Sequence, residues 1–109
     1  MAELSPAGRS QMTCELLADT DGSALVRISG ELDLNTVPEL DAAVAAILSG
    51  RPDRLVIDTG AVNFADSSAI ALFVKWANRV DEIEIREPPM LLRRVIARMG
   101  LAERLRMTP

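Results

Sequence analysis

Histidine and tyrosine are absent from this 109-residue chain, and cysteine occurs once, at Cys14. Without histidine, the usual base for a serine or cysteine nucleophile and the commonest metal ligand are both missing. A single thiol makes neither a zinc site nor an internal disulfide, and its lone occurrence fits a reducing, cytoplasmic compartment. Aromatics are limited to Phe64, Phe73 and Trp76, so Leu, Ile, Val and Ala must fill the core of a chain that is 49% hydrophobic. No apolar run approaches the roughly 20 residues of a membrane span. The first ten residues lack the apolar stretch of a signal peptide. Residues 1–10 therefore read as a flexible tail and 11–109 as one domain, with no direct membrane insertion expected.

Positive charge is also in short supply. The net charge of −4 argues against nucleic acid as a partner. It is unevenly spread: residues 1–66 hold 11 acids and 4 bases, and residues 67–109 hold 5 acids and 8 bases. The basic excess gathers at Arg93, Arg94, Arg98, Arg104 and Arg106, either as a solvated helix face or as a patch for an acidic partner. Glycines are scattered, with no phosphate-cradling loop, and Asp33, Asp58 and Asp66 follow no metal-loop spacing. No cofactor is expected.

What is present is a regular alternation of short elements. Residues 11–18 read as a strand, Asp19 to Ser23 as a turn, and Ala24 to Ser29 as a second strand with Val26 and Ile28 on one side. Thr36 to Glu39 fits a capping box, with Pro38 in the first turn. Leu40, Val44, Ile47 and Leu48 follow at helical spacing, and Gly50 marks the stop. Leu55-Val56-Ile57 has no alternation, as in a central strand covered on both faces. A short loop then leads to a helix over about 67–78. Glu82 to Glu87 alternates and reads as a strand with one polar face, whose charges would discourage further pairing if it lies at a sheet edge. Pro88-Pro89 opens a third helix whose apolar stripe is Leu92, Val95, Ile96 and Met99, stopped by Gly100. The order β-β-α-β-α-β-α-(β) predicts an α/β domain with a small mixed sheet and helices on at least one face.

The stretch Asp66-Ser67-Ser68 is the main site candidate. An acid and two hydroxyls at a helix start make an N-cap. They also place Ser67 beside unpaired N–H groups, where a phosphate is tolerated. The helix that follows overfills one face, since Ala69 to Val74 are all apolar. If Leu72, Phe73 and Trp76 face the core, Ile70 and Val74 lie nearer Ser67 and extend a docking surface. The other reading is a helix buried on most sides. Catalysis is not expected, because Ser67 has no histidine to activate it and the one lysine, Lys75, lies two turns away.

The run I-S-G-E-L-D at Ile28 to Asp33, the strand ending at Asp58, N-F-A-D-S-S-A-I at Asn63 to Ile70, and I-A-R-M-G-L at Ile96 to Leu101 resemble the STAS domain, in particular the bacterial anti-sigma factor antagonists. The resemblance spans about residues 12–106. It implies a single small mixed sheet with helices mainly on one face. It also implies a partner switch: the antagonist binds an anti-sigma factor serine kinase, is phosphorylated at the serine after the motif aspartate, and is reset by a serine phosphatase. Ser67 matches that serine, with Ser68 the neighbouring hydroxyl. Asp33 matches a position near the phosphoserine surface. With Ile70 and Val74 added from the helix-face reading, the expected partner-binding set is Asp33, Asp66, Ser67, Ser68, Ile70 and Val74. Ala69 stands where the family usually has glycine, which would add a methyl group in the path of the kinase. A constitutive STAS subunit of a lipid or anion transporter is the other function the resemblance allows. The oligomeric state, a homodimer included, is left open.

Overall fold

The computed structural model describes residues 12–20 and 22–109. The expected tail at 1–10 lies outside the described residues. The first described element is a hairpin. Strands β1 (Met12–Thr20) and β2 (Ser23–Leu32) pair antiparallel, from Met12↔Gly30 to Thr20↔Ser23. Gly22, at φ +77°, supplies the left-handed backbone that a side chain would strain. The register slips between Leu16 and Ala18, and Leu16 and Leu17 are both exposed there. In β2 the expected alternation holds: Ala24, Val26 and Ile28 are fully buried, while Leu25, Arg27 and Ser29 face the other way.

Every later pairing is parallel. β3 (Arg54–Ala65) lies against β2, β4 (Glu82–Arg86) against β3, and β5 (Arg106–Thr108) against β4. Among the described residues this is a five-stranded sheet in chain order. Helices α1 (Val37–Leu48), α2 (Ser67–Ala77) and α3 (Met90–Arg98) make the crossovers. Each crossover steps one strand in the same direction. Right-handedness therefore puts all three helices on one face.

That face is the core. Leu40, Val44 and Leu48 of α1, Ile70, Phe73 and Trp76 of α2, and Leu92 and Ile96 of α3 pack under Ile28, Leu55, Ile57 and Ile85 of the sheet. Phe73 and Trp76 stack obliquely with ring centroids 5.6 Å apart. The opposite face is polar and cross-linked. Arg27 pairs with Asp58 at 3.4 Å, and Arg106 with Glu82 at 3.0 Å. Glu84 accepts from Arg54 at 2.6 Å, Thr108 at 3.0 Å and Arg86 at 3.3 Å. Burial pushes the Glu84 carboxyl upward, but these hydrogen bonds outweigh it and hold it below the usual carboxylate range. The strand Glu82–Arg86 has the expected polar face and lies inside the sheet, so its charges cross-link neighbouring strands. Central Val56 is buried even on this polar face, between Leu25 and Glu84 of the neighbouring strands.

Four local expectations change. The short loop after Asp58 is a continuation of β3 to Ala65, because register breaks opposite Arg27/Ser29 and Gly30/Glu31 let the strand bend while still pairing. Gly50 is not the left-handed residue after α1; Arg51 is, at φ +55°. Met99 leaves the buried stripe of α3 and is 55% exposed, because the helix ends at Arg98. The capping box at Thr36 is not formed, as described below. The stop at Gly100 has the expected form: the Leu101 N–H donates to Ile96 O at 3.0 Å, with Gly100 at φ +73°.

Candidate functional site at the start of the second helix

β2 and β3 run out together. Leu32 and Ala65 are in register, and the Asp66 N–H extends the ladder by donating to Leu32 O at 3.1 Å. Asp33 and Asp66 therefore follow paired positions at the carboxyl end of adjacent parallel strands. The structure brings together the two acids that lie far apart in the chain.

Their carboxylates are used differently. Asp33 Oδ1 accepts from the Asn35 N–H at 2.9 Å and the Thr36 N–H at 3.1 Å, closing its own turn. Thr36 is the N-cap of α1, but its hydroxyl makes no cap bond. It donates back to Glu31 O at 2.7 Å and accepts from the Asp33 N–H at 3.0 Å. With its oxygen committed to the preceding strand end, the expected reciprocal pair with Glu39 cannot form. Asp66 is a true cap: its Oδ1 accepts from the Ser68 N–H at 2.9 Å and from the Ser68 hydroxyl.

Ser68 is thus half-buried and its hydroxyl engaged. Ser67 is exposed, and among the described residues its hydroxyl has no hydrogen-bond partner. Of the two neighbouring hydroxyls, one belongs to the cap and one is free.

The face of α2 that continues from Ser67 is not the expected one. Ile70 is 1% exposed and lies in the core, so it forms no part of a docking surface. Val74 is partly buried against the same core. The i, i+4, i+8 positions from Ser67 are Ala71 and Lys75, both exposed. Ala69 is fully buried, so its methyl points into the core and not toward a docking partner.

Between α1 and α2 lies an open groove of about 430 Å³, lined by Val37, Pro38, Ala71 and Leu72 with Ser68 and the Asp41–Lys75 pair on its walls. Asp41 accepts from Lys75 Nζ at 2.6 Å and from Trp76 Nε1 at 3.1 Å. The Lys75 hydrogen bond, opposed by burial and aided by Trp76, holds the Asp41 carboxyl below its ordinary range. Asp41 was not singled out in the sequence, although a buried Trp76 calls for an acceptor for its indole N–H. Two exposed apolar residues at the same end were also missed. Leu34, just after Asp33, is 75% exposed, and Phe64, two residues before Asp66, is 45% exposed. For Leu34 the signal was its place between Asp33 and Asn35; Phe64, between Asn63 and Ala65, gave none.

The sequence profile of the family described as "Mlab, STAS domain" matches residues 16–109. The chain belongs to the STAS domain family. Its resemblance extends to individual members. The anti-sigma-F factor antagonist RsfB of Mycobacterium tuberculosis is 32% identical over 66 residues, which is 61% of this chain and 54% of that protein. The matched stretch thus spans about half the length of that relative. The crystal structure of an anti-sigma factor antagonist from Mycobacterium paratuberculosis superposes with a TM-score of 0.81 at 29% identity, covering 90% of this STAS domain and 86% of the other chain. The unphosphorylated form of the anti-sigma factor antagonist SpoIIAA shares the fold, with a TM-score of 0.74 at 19% identity over 89% of each chain. A phosphorylated form of SpoIIAA, a Bacillus cell fate determinant, has also been solved and gives a TM-score of 0.70. Among the described residues of this STAS domain, no helix is long and apolar enough to cross a membrane.

Proposed function

We propose that this STAS domain is an anti-sigma factor antagonist. It binds an anti-sigma factor serine kinase, is released when Ser67 is phosphorylated, and is restored by a serine phosphatase. The observation that carries the reading is the division of labour between the two hydroxyls. Ser68 and Asp66 hold the helix start, so Ser67 can be modified without breaking the cap. The relatives named as antagonists supply the partner class.

The chemistry of a switch follows. A phosphate on Ser67 adds about −1.5 to −2 charges at a helix N-terminus, where the backbone dipole accommodates them. The Asp66 carboxylate is adjacent and that of Asp33 is at the same end, and Lys75 is held by Asp41. The free domain tolerates the added charge, while a partner that covers this end must accommodate it beside Asp66 and Asp33, with Lys75 already paired to Asp41.

The test is phosphorylation by a purified anti-sigma factor kinase of the source genome, read by intact mass. One phosphate is expected on the native chain and on Ser68→Ala, and none on Ser67→Ala. Phosphate on Ser67→Ala would overturn the assignment. A constitutive transporter subunit is separated by the same proteins: it takes up no phosphate and its binding is indifferent to Ser67→Asp.

A further inference from the structure

The third helix carries an unpaired basic and apolar surface. Met90 is 64% exposed and Leu91 52% exposed, at the first turn of α3. Arg94 and Arg98 are exposed on the same side, since Met90, Arg94 and Arg98 follow at i, i+4 and i+8. The buried positions, Leu92 and Ile96, lie on the other side. Large apolar side chains held in water beside arginines are a composition found at contact surfaces.

These arginines are set apart by being clustered and without a carboxylate partner. Arg27, Arg54, Lys75, Arg86 and Arg106 each meet a carboxylate. Arg104 meets Asn78. Arg93, Arg94 and Arg98 meet no carboxylate among the described residues. Arg51 and Arg79 also meet no carboxylate among the described residues, but each stands alone after a helix; α3 is where three such arginines gather, in a chain whose net charge is −4.

The position of that helix links it to Ser67. α2 and α3 both begin at the carboxyl ends of adjacent parallel strands, β3 and β4. The exposed apolar residues Leu34, Met90 and Leu91 belong to the connections that leave the sheet at this end, and Phe64 lies near the end of β3 just before one.

We infer that the Met90–Leu91–Arg94–Arg98 stripe of α3 is a second contact surface for the partner that covers Ser67, and that it receives an acidic segment with interspersed apolar residues. This rests on the proposed antagonist function. The charge is complementary to an acidic protein surface, and the apolar pair supplies the area that charges alone do not. A stripe of nine residues is about 13 Å long, enough for two to three turns of a partner helix. An anionic lipid surface is the less favoured occupant, because the chain as a whole is negative and the stripe is short.

The experiment measures binding of the full chain to the purified anti-sigma factor kinase by calorimetry or fluorescence. It compares the native protein with Arg94→Glu/Arg98→Glu, Met90→Ser/Leu91→Ser and Ser67→Asp. All four α3 positions are exposed, so unchanged melting temperatures are expected and are checked first. The charge reversal is expected to weaken binding about 10- to 100-fold and to reduce its dependence on salt. The serine pair is expected to weaken it about 10-fold with the salt dependence kept.

If Ser67→Asp releases the partner while both α3 variants bind like the native protein, the α3 surface is overturned and the antagonist function stands. If the native protein binds no such kinase, both are overturned together. The remaining outcome is sedimentation with phosphatidylglycerol vesicles that Arg94→Glu/Arg98→Glu abolishes, with kinase affinity unchanged. That outcome assigns the stripe to lipid and overturns the protein contact.

Discussion

The starts of α1 and α2 use the same parts to different ends. Each follows the end of a parallel strand, and each has an aspartate and a hydroxyl within a few residues. At α1 both are consumed. Asp33 closes the turn and the buried Thr36 hydroxyl bridges Glu31 O and the Asp33 N–H. At α2 one aspartate and one serine complete the cap, and the other serine is surplus. The difference is that α2 has one hydroxyl more than its geometry needs. A modification site can be installed by adding a side chain to a finished cap.

The comparison can be tested from its largest expected effect to its smallest. Ser67→Asp should cost binding to the anti-sigma factor kinase about 2–5 kcal/mol, or roughly 30-fold to several thousand-fold in Kd, with no comparable loss of stability. Titration calorimetry paired with thermal melting reads both quantities. Thr36→Val keeps the shape of the side chain but strands a backbone acceptor and a donor at the α1 start. It should destabilise the fold by about 1–3 kcal/mol in urea unfolding. Asp66→Ala should cost about 1 kcal/mol through the lost cap, and Asp66→Asn much less, because asparagine caps equally well. Ser67→Ala should leave stability within about 0.5 kcal/mol of native, since nothing in the fold depends on that hydroxyl. A larger loss would mean that Ser67 is also part of the cap and would dissolve the contrast.

A titration tests the tie between the same two helices. Asp41 on α1 holds Lys75 and Trp76 of α2, and its carboxyl lies below the ordinary value near 4. The folded state therefore favours the ionised form. Its contribution is complete above the unfolded pKa and is lost as pH falls through the depressed folded value. Asp41→Asn should flatten the acid limb of the stability curve below about pH 5. Urea midpoints measured down that limb would show an unchanged slope if the tie were only apparent.

Much of this architecture is written in local pattern. The alternation at Val26 and Ile28, the unbroken Leu55-Val56-Ile57 and the Gly100-Leu101 stop each depend on near neighbours, and each is found as expected. The sequence pattern fails where a distant partner decides. Gly60 and Asn63 look like loop residues, but pairing with β2 keeps them in β3 through two bulges. Ile70 could not be placed, because six apolar residues in a row leave the phase of a helix undefined. Only the packing of Ala69, Ile70 and Phe73 under the sheet settles it. Asp41 was invisible as a partner of Trp76 because no spacing rule connects residues on separate helices. At the site itself Asp66-Ser67-Ser68 was legible as a helix cap with two hydroxyls, but that Ser68 joins the cap while Ser67 stays free needed the direction of the Asp66 side chain.

The sheet order has a consequence for how the chain assembles. Strand neighbours in space are strand neighbours in sequence from β1 to β5. Each new strand has only its own crossover to close before it docks on a finished edge, which keeps the entropic cost of every step small. The chain can therefore grow its sheet in the direction of synthesis, starting from the hairpin. Among the described residues the last addition is the three-residue β5, tied through Thr108 to Glu84. Until it arrives, β4 is the open edge of a nascent sheet. Its alternating glutamates then have a transient use, to keep that edge soluble until β5 pairs with it.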